Sequence, residues 1–101
     1  MTGKGEKNTR KTIKPGKDLI ESTVEDLRKK LLKIIDEDIN ELAIDMKNVK
    51  NMDSTGLGML IAVNNSFYQA GARLKLKNVN ENIVNRMRMI GLDNYFSVNA
   101  A

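Results

Sequence analysis

Three side chains in the stretch NMDSTGLGMLIA, residues 51–62, could do chemistry: the carboxylate of Asp53 and the hydroxyls of Ser54 and Thr55, followed by Gly56 and Gly58. Such a cluster fits an aspartic protease, a dinucleotide or phosphate loop, a serine nucleophile, a modification site or a helix cap. Spacing removes the enzymatic options. An aspartic protease places glycine two residues after its carboxylate, whereas Gly56 stands three after Asp53 and no second such motif occurs. A dinucleotide loop needs G-x-G-x-x-G, and Ile61 occupies the third glycine's place. No lysine follows the glycines as a P-loop requires. Met52 stands where a nucleophile elbow needs glycine.

Composition narrows the chemistry further. The 101 residues include no histidine and no cysteine. A Ser-His-Asp triad, a histidine or thiolate metal site, a cysteine nucleophile and a disulfide are all excluded. An enzyme would have to work with carboxylates and lysines alone, so the expectation is a protein that is not an enzyme. The acidic trio Asp36-Glu37-Asp38 lacks a glycine-containing metal loop and reads as a solvated connection, so no metal site is expected. The apolar run Leu57–Val63 is far too short to span a bilayer, and no apolar stretch follows the basic N-terminus as in a secretory signal. A cytoplasmic protein is the expectation.

The net charge of +4 is uneven. Residues 1–17 carry six basic side chains against Glu6, a balance of +5, and the remainder holds 11 basic and 12 acidic side chains, a balance of −1. The tail has no aromatic residue to stack on bases, so it reads as a solvated segment or a ragged first strand, with neither nucleic acid nor membrane as partner.

The elements that must position Asp53 and Ser54 follow from periodicity. Leu19-Ile20 is a short extended piece, and Ser22 with Glu25 forms a capping box that opens an amphipathic helix over 23–36 through Val24, Leu27, Leu31, Ile34 and Ile35. Alternation in residues 41–47 predicts a strand, with Val49 and Met52 carrying the buried pattern into the loop. After DSTG, apolar side chains run nearly all round a second helix that Gly71 ends. Such a helix either packs on two sides or leaves an apolar face for a partner. Leu74, Leu76 and Val79 mark another strand. Asn80 then caps a helix with Ile83, Val84, Met87 and Ile90 on one side, closed by a Schellman turn at Gly91-Leu92. Tyr95–Val98 is a short strand or a packed tail. Strands alternating with helices predict an α/β fold with a largely parallel sheet. In it, Ser54 and Thr55 sit where a loop enters a helix, a place whose free amides tolerate an anion such as phosphate. The same residues could serve only as caps.

The string MDSTGLGMLI, entered from ELAIDMKNV and followed by GARLKLKNVNENIVNRMRMIGLDNYFSV, resembles a STAS domain, most of all the bacterial anti-sigma factor antagonists. The resemblance runs from about Gly16 to Val98. It implies a small, mostly parallel β-sheet with helices packed against it over residues 16–101, preceded by a basic tail or shortened first strand at 1–15. It also implies a phosphoacceptor directly after the motif aspartate, here Ser54. In such proteins an anti-sigma factor that is itself a serine kinase of GHKL type binds the unphosphorylated antagonist, phosphorylation releases it, and a PP2C-type phosphatase resets it. No cofactor is implied. On this pattern Asp53 shapes the loop and contacts the kinase, Thr55 is a capping hydroxyl, Gly56 allows close backbone approach, and Met59 and Val63 are candidate partner contacts. A shortened N-terminal strand pair would leave an edge that a homodimer could cover. The alternative within the same fold is an unphosphorylated scaffold or sensor subunit of a chemotaxis or two-component assembly.

Overall fold

The computed structural model describes residues 9–92 and 94–100. Strand β1 (Arg10–Ile13) is followed by α1 (Val24–Ile35), β2 (Glu41–Asp45), α2 (Ser54–Gln69), β3 (Arg73–Val79), α3 (Glu81–Met89) and β4 (Ser97–Ala100). The four strands lie in the order β1-β2-β3-β4, every neighbouring pair parallel. The α/β order read from the sequence is thus realised, and Tyr95–Val98 runs into the fourth strand.

Each crossover leads from one strand to its parallel neighbour, and because such connections are right-handed as a rule, successive steps in one direction collect the helices on one face of the sheet. Cross-strand register shows which side chains share that face: Ile13, Ile44, Leu76 and Val98 stand side by side, as do Leu42 and Leu74. They join Leu27, Leu31, Leu60, Val63, Phe67, Ile83 and Met87 of the helices in one core cluster. The intervening strand residues, Thr12, Glu41, Asp45, Lys75 and Lys77, point to the opposite face. Of these, Lys75 reaches Glu41 across the strands at 3.9 Å.

The helix ends obey their local chemistry, with one departure. Gly71 and Gly91 adopt φ of 81° and 77°, and each completes a Schellman turn: Ala72 N–H donates to Phe67 O, and Leu92 N–H to Met87 O. Asn80 caps α3 by accepting from Ile83 N–H at 2.9 Å. The capping box at Ser22 and Glu25 does not form. The N-cap of α1 is Thr23, whose hydroxyl is spent on the preceding turn, accepting from Ile20 N–H and donating to Asp18 O. Glu25 instead meets Arg28 one turn on. Ile90, expected on the buried side of α3, is 57% exposed. Helix α3 ends at Met89, and the turn at Gly91 brings Leu92 against the core in its place.

Candidate functional site

Ser54 is the first residue of α2, and it is exposed. Asp53, the N-cap, has extended backbone, and its two carboxylate oxygens divide their work. Oδ1 accepts from Gly56 N–H at 2.9 Å, and Oδ2 accepts from Glu21 N–H at 3.0 Å. One carboxylate thereby closes the helix start and ties it to the turn before α1. The Gly56 amide above all holds the Asp53 carboxyl below the usual aspartate range; desolvation, the next largest effect, opposes it, and the amides of Glu21 and Thr55 add to the lowering. Asp53 is ionised at neutral pH, so a fixed negative charge stands next to the Ser54 hydroxyl.

The segment that delivers these residues is pinned from three sides. Asp18 accepts from the backbone amides of Lys50 and Asn51 and from the Asn51 side chain. The Asn51 side-chain amide, then the two backbone amides, lower the Asp18 pKa. Asn80 donates to the carbonyls of Val49 and Lys50, and Arg86 donates to Met52 O at 2.6 Å. Leu19 bridges Met52 as a fragment of parallel ladder, Leu19 N–H donating to Asn51 O and Asp53 N–H to Leu19 O.

Gly56 explains why glycine follows the hydroxyls. A Cβ there would lie 2.1 Å from Leu19 O. The close approach read from the sequence is therefore to the chain's own Leu19 ladder, and Gly56 is buried. At Gly58 an added Cβ meets nothing within 4 Å.

The structure brings Asp53, Ser54 and Thr55 together at the surface and separates them from the other expected contacts. Thr55 lies exposed in the first turn and is not the cap, since the Asp53 carboxylate holds that position. Met59 and Val63 are 6% and 1% exposed. They face inward because α2 packs on both α1 and β3, and a residue in that seam cannot touch a partner. The apolar surface near Ser54 comes from elsewhere. Leu57, one turn beyond Ser54, lines a hollow of about 190 Å³ with Met52, Arg86, Met89 and Ile90. Met89 is 84% exposed.

Asp18, Asn80 as a loop anchor, and Arg86 were missed by sequence reasoning. Their contacts join positions about 30 residues apart. Only Asn80 carried a signal, and that signal spoke of its cap.

Comparison with known proteins agrees with this architecture. The STAS domain family model matches residues 5–101. The anti-sigma-B factor antagonist of Bacillus subtilis (strain 168) is 32% identical over 74 residues, which cover 73% of this chain and 67% of that protein. A Thermotoga maritima structure, described as a candidate anti-sigma factor antagonist, superposes with a TM-score of 0.81 at 19% identity, over 89% of this chain and 78% of that one. A sulfate transporter family protein from Wolinella succinogenes gives 0.78 at 20% identity, over 94% and 82%. At these identities the two structures speak for the fold alone.

Proposed function

Because the chain belongs to the STAS domain family, we propose that it acts as an anti-sigma factor antagonist whose grip on an anti-sigma partner is released by phosphorylation of Ser54. The reading rests on one observation: Ser54 is exposed at the first position of a 16-residue helix whose start is already closed by Asp53. A kinase can reach the hydroxyl without unfolding anything. The partner is a serine kinase of GHKL type, and a PP2C-type phosphatase removes the phosphate. The chain itself is a substrate and a binding module, not an enzyme.

Phosphate on Ser54 adds roughly −1.5 to −2 charges at neutral pH. The helix start tolerates that charge through its dipole. A partner seated over the loop meets it beside the Asp53 carboxylate, in a surface it must desolvate to bind. The contact area consists of Asp53, Ser54 and Thr55 together with Leu57, Met89 and Ile90, which take the place of the buried Met59 and Val63.

The test uses wild-type protein, Ser54→Ala and Ser54→Asp as parallel baits in lysate of the source cells, read by mass spectrometry. A kinase-fold protein kept by wild type and Ser54→Ala and lost by Ser54→Asp is the expected result. If all three baits retrieve the same proteins, Ser54 is no switch and the scaffold role replaces the antagonist role.

A further inference from the structure

The chain has no cysteine, so its six methionines are the side chains that a peroxide attacks most readily. Burial sorts them. Met46, Met52, Met59 and Met87 are at 6% exposure or less, whereas Met89, the last residue of α3, is 84% exposed. Met1 lies outside the described residues. Met89 also stands apart from the core cluster that holds the four buried thioethers. Its place is the rim of the hollow between the start of α2 and α3, which it lines with Leu57 and Ile90. Helix α2 leans on α1 and β3, and α3 on β4, so this rim is left to solvent.

We propose that Met89 is an oxidation site at which hydrogen peroxide changes the surface offered to a partner. A lone pair of the Met89 sulfur attacks one peroxide oxygen, the O–O bond breaks as the S–O bond forms, and the remainder leaves as water. The thioether is oxidised, and the peroxide reduced, by one electron pair. The sulfoxide is polar and accepts hydrogen bonds where the thioether was apolar. Because the side chain lies outside the core cluster, the fold tolerates this change, and only the rim of the hollow feels it. The consequence for binding rests on the antagonist reading, in which Met89 belongs to the contact area with Leu57 and Ile90. An apolar contact made there must then strip water from the sulfoxide oxygen, which weakens it. Oxidation thus loosens the partner by a route separate from phosphate on Ser54.

The full chain is treated with dilute hydrogen peroxide, and oxygen uptake at each methionine is followed over time by peptide mass spectrometry. Met89 is expected to oxidise about tenfold or more faster than Met46, Met52, Met59 and Met87. Thermal unfolding of the oxidised protein should match that of the untreated protein. The Ser54→Ala bait is then offered to lysate before and after treatment, with the peroxide removed, beside Ser54→Ala/Met89→Leu treated alike. Capture of the kinase-fold protein should fall about threefold or more for the oxidised first bait. It should hold for the second, which keeps Met1 and every buried methionine. Met89→Gln in the Ser54→Ala bait, similar in length, polar and inert to the reagent, should lower capture without treatment. The proposal is overturned if a buried methionine oxidises as fast as Met89, or if oxidised and untreated baits hold the kinase-fold protein equally. An untreated bait that captures no kinase-fold protein sinks the antagonist reading instead, and the oxidation site is then decided by the peroxide mapping alone.

Discussion

Two glycines in the first turns of α2 should respond to the same substitution with opposite signs. Gly56→Ala places a Cβ 2.1 Å from Leu19 O, 2.9 Å from Leu19 C and 3.1 Å from Leu19 Cβ. The first two atoms are backbone, so no side chain can swing aside, and ordinary contact requires the helix start and the Leu19 ladder to part by more than an ångström. That movement strains the packing, at about 1–3 kcal/mol. It also stretches Leu19 N–H to Asn51 O and Asp53 N–H to Leu19 O, each worth about 1 kcal/mol. Alanine returns about 1 kcal/mol of helix propensity. The net loss is about 2–4 kcal/mol, a fall in Tm of about 10–20 °C for a domain of this size. At Gly58 the added methyl meets nothing, so only the propensity gain remains, a rise of about 0.5–1 kcal/mol. Thermal and urea denaturation followed by circular dichroism measure both. A Gly56→Ala protein as stable as wild type, or a Gly58→Ala protein destabilised like it, would refute the reasoning about the Leu19 approach.

Ser54→Asp should leave stability within about 0.5 kcal/mol of wild type while weakening the partner at least tenfold, about 1.4 kcal/mol; calorimetry of the fold and titration of the partner separate the two. Asn80→Ala removes the α3 cap and both carbonyl contacts to Val49 and Lys50, and should cost about 2–3 kcal/mol in urea unfolding. Acid should destabilise the protein through Asp18, Asp45 and Asp53, all of whose pKa values are lowered by hydrogen bonds in the fold. The unfolded chain then binds more protons than the folded one. Their stabilisation is full above the unfolded aspartate value of about 4 and is lost as pH falls through the lower folded values. Urea midpoints compared at neutral pH and near pH 3 should show the drop, and Asp53→Asn should make it smaller.

Local chemistry was legible in the sequence; chemistry that depends on distant neighbours was not. Alternation in residues 41–47 and 73–79 marked β2 and β3, and Asn80, Gly71 and Gly91 marked helix ends, because each acts on partners within a few residues. The side of α2 that faces inward was not readable, since apolar residues cover most of its circumference. Met59 and Val63 were offered to a partner for that reason, and only the seam between α1 and β3 shows that both are core. Gly56 and Gly58 look alike in sequence. They differ because the carbonyl that excludes a Cβ at Gly56 belongs to Leu19, in a separate segment. The Ser22–Glu25 box failed for a similar reason: Thr23 found its partners in the Asp18–Ile20 turn before the helix began.

The anchoring of residues 49–53 bears on how a phosphate at Ser54 would act. A switch that works by remodelling needs an element with two arrangements of similar energy. Here the loop is tied through Asp18 to the α1 approach, through Asn80 and Arg86 to α3, and through Asp53 to the Glu21 amide. Releasing it would break several hydrogen bonds at once, which a charge at a tolerant helix start has no reason to do. A rigid loop makes the phosphate a change in the surface offered to the partner: added charge beside Asp53, added bulk over Leu57, and the fold beneath unchanged. Amide shifts on phosphorylation should therefore stay near residues 53–57 and spare α3. Shifts reaching Arg86 and Met89 would mean that the Arg86–Met52 tie opens, and that the signal passes through the fold to the apolar rim.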